Sequence, residues 1–298
     1  MKNTKLSTFE KTWGVLIPIM VYKISTAFFT MVLAAFTDVL SRHGIISGKI
    51  LMENSSFLST FIRAISLTLS IALLFPTYVR TMRAKQYNNT EYTDNTDATA
   101  YSFNRSVILK DARSLSSYLK PLPALISVLS GMSLALFLNI LFYATGIVNI
   151  SSSFKEVSSS QASTGLLAGI ILFGIITPVA EELVFRGIVL SRLNLGFSIT
   201  PAIILSALMF GIYHGNLVQG IYGTLMGLLI GYVYIKYDAL VYPILVHSGA
   251  NILIFIITSL HLPISLTARY EIMGISGIVF LITFVFLYNQ FSKNKTLQ

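Results

Sequence analysis

The sequence contains no cysteine and few charged residues, and these two absences exclude several classes of protein. Without cysteine among its 298 residues, the chain has no disulfide bond, thiol nucleophile, iron–sulfur cluster or thiolate metal site. Only 11% of the residues are charged, whereas a typical soluble domain has about 25%. Because 54% are hydrophobic, intrinsic disorder and an ordinary soluble enzyme are excluded. The composition therefore indicates a polytopic membrane protein.

Long apolar runs follow one another along the chain, and each is close to the roughly 20 residues that span a bilayer. We predict an all-α polytopic membrane helical bundle with about eight transmembrane helices. The predicted spans are Trp13–Phe36, Phe57–Val79, Leu122–Val148, Leu166–Leu190, Ile199–Asn216, Gly220–Ile235, Leu240–Leu260 and Ile272–Phe291. We expect the first run to be an uncleaved helix, because it is too long for the apolar part of a signal peptide.

Basic residues are distributed unevenly between the predicted loops. With the N-terminus inside, 15 Lys and Arg lie in inner segments, 4 in outer loops and 2, Lys23 and Arg63, within spans. Because basic loops face the cytoplasm, we expect an integral multi-pass protein of a bacterial cell membrane with both termini cytoplasmic. The net charge of +9 is then explained by basic loops that contact the anionic surface of the lipid bilayer. No nucleic-acid partner is expected. Lys23 and Arg63 are expected to snorkel to the membrane surface.

The chain divides into three predicted parts. Residues 1–163 hold the N-terminal transmembrane helices and a polar cytoplasmic loop at 80–121, which is rich in Asn and Thr. Residues 164–260 form a helical core that contains the polar motifs described next. Residues 261–298 form a C-terminal transmembrane helix and tail. No internal repeat is visible, and this disfavours the transporter folds that are built from repeats.

Two adjacent carboxylates interrupt the fourth apolar run. Glu181 and Glu182 occupy neighbouring helical positions, so their side chains point about 100° apart. Arg186 stands four residues after Glu182, and the two share a helix face and can pair. This pairing keeps Glu182 ionised in the membrane, or it serves only to fix helix packing. Glu181 has no cation at such a spacing and is predicted to be the free carboxylate.

Two further polar groups lie in apolar helices, where each is costly and needs a reason. His214 follows Phe210 by one turn, and His247 shares a helix face with Asn251. Alone, each could serve only as a polar side chain that hydrogen-bonds between helices and stabilises their packing. However, a helix rises 1.5 Å per residue, so the depth of each group can be counted from the cytoplasmic end of its helix. All of the depths are roughly 12–21 Å, for Glu181, His214, His247 and Asn251. A shared depth indicates one buried site.

These residue types suit the activation of water. Glu181 would be the general base, His214 would share or position the proton, and His247 and Asn251 would stabilise the oxyanion of acyl hydrolysis. The alternative is a metal ion, with zinc the suitable choice, held by Glu181, His214 and His247. The HExxH pattern of familiar metalloproteases is absent. The residues leave the metal-dependent and the metal-independent route both open.

The ordered motifs EELVFR, FGIYH and HSGAN resemble those of the CPBP family of intramembrane proteases. That family includes CAAX-type endopeptidases and bacterial Abi-type members linked to bacteriocin processing or self-immunity. The resemblance implies a four-helix core with a site open to the cytosol, in which Glu181 and His214 act on water and His247 and Asn251 stabilise the oxyanion. It gives Glu182, Arg186 and Phe210 supporting roles. The implied substrate is a membrane-associated peptide or protein, lipidated or bearing a leader.

Two other functions are compatible with the sequence. A proteolytically inactive immunity or regulatory protein could use the same fold, and substitutions of Glu181 and His214 would then leave its phenotype intact. A transporter or channel could use the buried ionisable residues as an ion path, and this hypothesis predicts flux in liposomes.

Overall fold

The computed structural model describes residues 8–91, 119–260 and 264–295, and its elements within these ranges are helical. The helices are α1 (Thr8–Arg42), α2 (Gly48–Glu53), α3 (Ser55–Glu91), α4 (Pro121–Ala144), α5 (Ser152–Ala162), α6 (Leu166–Gly196), α7 (Ile199–Tyr213), α8 (Leu217–Tyr237), α9 (Val241–Ser259) and α10 (Leu266–Lys295). A 3₁₀ turn, Ile147–Ile150, precedes α5.

Among the described residues, seven helices are long and apolar enough to cross a membrane, namely α1, α3, α4, α6, α8, α9 and α10. The 15-residue helix α7 is apolar but shorter. Each of the eight predicted apolar runs coincides with one of these eight helices. The predicted all-α polytopic membrane bundle is therefore confirmed.

Helix α3 is longer than the sequence predicts. It continues through residues 80–91, which were expected to begin the polar loop. Contacts with other helices accompany this polar end, since Arg192 Nε of α6 donates a hydrogen bond to Thr81 Oγ1 at 2.9 Å. Lys85 forms an ion pair with Asp238, the residue that ends α8. The central part of the predicted loop, residues 92–118, lies outside the described residues, as do residues 261–263 and 296–298 of the predicted C-terminal part.

The helices pack around three apolar clusters. The first joins buried side chains of α4, α8, α9 and α10, and the second joins those of α1, α3, α6, α7 and α9. The third, smaller cluster joins side chains of α1, α6, α7 and α8. Helix α4 approaches α9 closely at Gly131, where an added Cβ would overlap the backbone of Val246. Because His247 follows Val246, this crossing positions a candidate site residue.

Helix α6 departs from regular α-helical winding on both sides of its two carboxylates. Residues Ile170–Ile176 and Leu183–Leu190 are wound as π-helix, and the α-helical turn Thr177–Glu182 lies between them. Such wide turns are often found at functional sites. The winding sets the direction in which Glu181 and Glu182 point relative to the two ends of the helix.

Candidate active site

Glu182 is the centre of a buried polar network. Its Oε1 accepts hydrogen bonds from Arg186 Nη1 at 3.1 Å and from His247 Nδ1 at 2.7 Å. Glu182 and Arg186 have no solvent exposure, and His247 is 6% exposed. The pairing expected from the spacing of Glu182 and Arg186 is therefore present, and a histidine from α9 joins it.

Arg186 connects this network to two further helices. Its Nη2 donates to the backbone oxygen of Gly227 on α8 at 3.2 Å. Its guanidinium carbon lies 4.7 Å from the centroid of the Phe210 ring on α7, which is within the range of a cation–π interaction. These partners compensate part of the cost of burying the guanidinium and hold it beside Glu182. Among the described residues, Arg186 Nε and Glu182 Oε2 have no hydrogen-bond partner.

The hydrogen bond to Glu182 fixes the tautomer of His247. A carboxylate paired with an arginine accepts protons, so His247 Nδ1 carries the hydrogen and donates it. The other ring nitrogen, Nε2, lies 3.8 Å from Glu181 Oε2. Neutral His247 therefore presents an acceptor at Nε2, and only the doubly protonated ring can donate from it. Glu181, which is 6% exposed, is the closest carboxylate to that nitrogen.

His214 is fixed in the same way by a backbone group. Its Nδ1 lies 2.8 Å from the carbonyl oxygen of Phe210, and a carbonyl can only accept, so Nδ1 donates and Nε2 is left as the acceptor. His214 caps the end of α7, and the chain turns there through Gly215, whose φ of +76° favours glycine. The ring of Phe210 contacts both imidazoles edge to face, at 4.9 Å from His214 and 5.6 Å from His247.

Asn251 is oriented by the helix that carries the carboxylates. Its Nδ2 donates to the backbone oxygen of Phe173 on α6 at 3.0 Å. Because that carbonyl cannot donate, the amide nitrogen must face α6, and its second hydrogen is left for another acceptor. Asn251 thus offers one fixed N–H group near the site.

A single cavity of about 620 Å³ collects these groups, because Glu181, Phe210, His214, His247 and Asn251 all line it. Glu182 and Arg186 do not line it and are fully buried behind it. The structure therefore places the four predicted catalytic residues on the wall of one cavity together with Phe210, which was predicted to be supporting. The other two supporting residues, Glu182 and Arg186, lie behind that wall.

The cavity extends from these residues toward one end of the bundle. Beyond the site it is lined by Asn139 and Tyr143 near the end of α4, by residues 156–158 and 160–162 of α5, and by Ser259 at the end of α9. In the topology predicted from charge, this is the outer face. A site open to the cytosol and a cytoplasmic N-terminus, both expected from the sequence, are therefore incompatible with this geometry.

The metal set that the sequence left open is not assembled. Among the described residues, no group of three or more His, Asp or Glu side chains is placed to hold a metal ion. The Nδ1 atoms of His214 and His247 are bonded to Phe210 and Glu182, so only the Nε2 atoms are left as ligands. Glu181 Oε2 lies 3.8 Å from Nε2 of His247. In this arrangement the three side chains do not form a ligand group, and no step below is assigned to a metal.

Sequence reasoning missed two features of the site. The first is the hydrogen bond from His247 to Glu182, because it joins residues 65 positions apart and no local spacing indicates it. The second is that Lys23 and Arg63, expected to snorkel, line the cavity. The sequence contained a sign of this position, because Lys23 and Arg63 are cations inside apolar runs.

Fold and site together define a polytopic membrane protein with buried carboxylates and imidazoles around one cavity. Residues 163–253 match the family described as type II CAAX prenyl endopeptidase Rce1-like. All seven predicted site residues lie within this segment, which covers about a third of the chain. The match confirms, for this segment, the resemblance to CAAX-type proteases that the motifs carry. No curated protein and no solved structure matches the chain.

Proposed function

We propose that the protein is an intramembrane endopeptidase that hydrolyses a peptide bond of a membrane-associated peptide or protein. The observation that carries this proposal is the cavity, which gathers the carboxylate of Glu181, two imidazoles and the carboxamide of Asn251. These groups come from α6, from α9 and from the C-terminal end of α7. The family match to a prenyl endopeptidase supports the same reaction class. A lipidated or leader-bearing substrate suits a cavity within apolar helices.

The first chemical step is attack of water on the scissile carbonyl. Glu181 takes one proton from the water as general base, and the water oxygen forms a bond to the carbonyl carbon. His214 accepts a hydrogen bond from the same water at Nε2, its free acceptor, and so holds the water in line. Glu181 then gives its proton to the leaving amine as the C–N bond breaks.

The oxyanion of the tetrahedral intermediate needs hydrogen-bond donors. Asn251 supplies the second hydrogen of Nδ2, which its bond to Phe173 leaves unused. His247 supplies Nε2–H in its doubly protonated form, while its Nδ1 still donates to Glu182. Glu182 and Arg186 do not touch the substrate in this scheme. They fix the position of His247 on one side and of Phe210 on the other.

The test measures proteolysis by the purified protein in lipid nanodiscs. A proteome-derived peptide library is added, and new N-termini are counted by mass spectrometry. Glu181→Gln and His214→Gln are expected to lose activity by at least about 100-fold, the usual contribution of general acid–base groups. The matched controls are Glu156→Gln, a second carboxylate on the cavity wall, and His43→Gln, an exposed histidine outside it. Both controls should cleave at the wild-type rate.

The same assay addresses the metal question. Because the site residues do not form a metal-binding group, cleavage should continue at the same rate after treatment with a strong chelator and removal of the chelated metal. Undiminished cleavage by both Glu181→Gln and His214→Gln would refute the mechanism. Absence of cleavage by the wild-type protein would favour the inactive immunity or regulatory protein.

A further inference from the structure

Two cations from helices outside the matched family segment line the candidate active-site cavity. Lys23 belongs to α1 and Arg63 to α3, and both contribute to the cavity wall. A charged side chain inside the span of a membrane helix is costly unless a partner or water compensates it. Their position on the wall of the cavity therefore calls for a function.

The protein itself satisfies these cations only in part. Lys23 Nζ donates to the backbone oxygen of Tyr213 at 3.3 Å and lies 5.5 Å from the centroid of that ring. The guanidinium carbon of Arg63 lies 5.8 Å from the centroid of the Phe173 ring. Among the described residues, no carboxylate lies within 4.0 Å of either cation. An ammonium has three donors and a guanidinium five, so both cations, which are exposed and line the cavity, keep donors that these contacts leave unused.

Both cations contact residues directly connected to the candidate catalytic groups. Tyr213, which Lys23 touches, is followed by His214, and Phe173, which Arg63 covers, accepts the hydrogen bond of Asn251. The two cations therefore lie against residues that precede or orient the candidate catalytic groups.

We propose that Lys23 and Arg63 form an anion subsite that binds a carboxylate of the peptide substrate, either an acidic side chain or a free C-terminus. The inference rests on the proposed function and specifies which substrates the cavity prefers. A carboxylate bound there receives charge-assisted hydrogen bonds, and the bond to be cleaved then lies at a fixed distance from it. The cations select substrates and take no part in proton transfer.

The test uses the peptide library described above in two forms, one untreated and one with all carboxyl groups converted to methylamides. Wild-type protein should cleave the untreated form about tenfold more efficiently, measured as kcat/KM, because charge-assisted bonds are worth that much or more. The carboxylates of the cleaved peptides should lie at a constant distance from the cut. Lys23→Met and Arg63→Met should each reduce this preference to about threefold or less, mainly through KM. Lys155→Met, which removes an exposed cation of α5 outside the cavity wall, should retain it.

Each outcome separates the two proposals. No cleavage of either library by the wild-type protein would refute the proposed function and the subsite with it. Cleavage of both libraries with equal efficiency, or an unchanged preference in Lys23→Met and Arg63→Met, would refute the subsite alone. Cleavage of methylamide peptides at the wild-type rate by both variants shows that they are folded. The assay is repeated in nanodiscs with and without phosphatidylglycerol. Variants that change only the dependence on this anionic lipid, and keep the preference for carboxylates, would overturn the peptide assignment in favour of a lipid phosphate.

Discussion

Replacing Arg186 by methionine should destabilise the protein strongly, and replacing Glu182 as well should restore part of the loss. Arg186 has no solvent exposure and neutralises a carboxylate that is equally buried. Arg186→Met therefore leaves Glu182 as a buried charge whose one remaining partner within the described part of the chain is His247. Removing one member of a buried ion pair costs about 3–5 kcal/mol of unfolding free energy.

The double variant Glu182→Met/Arg186→Met removes that unpaired charge. One buried group then stays without its partner, His247 Nδ1, whereas the backbone oxygen of Gly227 loses Arg186 but still accepts the hydrogen bond of its own helix. An unsatisfied group costs about 1–3 kcal/mol, and packing by methionine offsets part of this. We expect the double variant to be less stable than wild type by about 1–3 kcal/mol, and more stable than Arg186→Met.

Unfolding in mixed micelles with increasing dodecyl sulfate, followed by circular dichroism, measures these differences. The peptide assay should find both variants inactive, since each disturbs the anchor that fixes His247. The double variant should therefore recover part of the unfolding free energy without recovering activity. Wild-type stability of Arg186→Met, or a double variant less stable than the single one, would refute the assignment of this ion pair as a compensated buried charge.

Two other perturbations test the helix crossing and the direction of the cavity. Gly131→Ala should lower unfolding free energy and kcat together, because its Cβ would overlap the backbone of Val246 beside His247, whereas Gly274→Ala, which meets open space, should change neither. Because the chain has no cysteine, single-cysteine variants can be labelled without background. Ser158→Cys, on the cavity wall, should react with a membrane-impermeant maleimide in intact cells. Ala84→Cys, in the polar end of α3, should react only in inside-out vesicles. The reverse labelling pattern would show that the site opens to the cytosol and that the charge-based topology is wrong.

Much of the bundle could be predicted from the sequence because lipid imposes a simple rule on it. A helix that crosses the bilayer must be apolar over most of its length, and the eight apolar runs accordingly mark eight helices. The pair Glu182–Arg186 was also predictable, since helical spacing alone decides whether two side chains share a face.

Other features depend on contacts that no local pattern contains. The polar end of α3 has the composition of a loop, yet it is helical where Thr81 and Lys85 contact α6 and the end of α8. The π-helical turns of α6 have no distinctive residue at the positions where they occur. The positions of Lys23 and Arg63 on the cavity wall depend on how α1 and α3 pack against the core, and hydropathy does not describe that packing.

The π-helical turns of α6 each hold about one residue more than an α-helical turn. Deleting one residue from Leu183–Leu190 can therefore be absorbed by a return to regular winding, and the following turn, Ser191–Gly196, keeps nearly the same direction relative to the carboxylates. Such a helix can change its length by one residue while its acidic pair and its far end keep their places in the bundle.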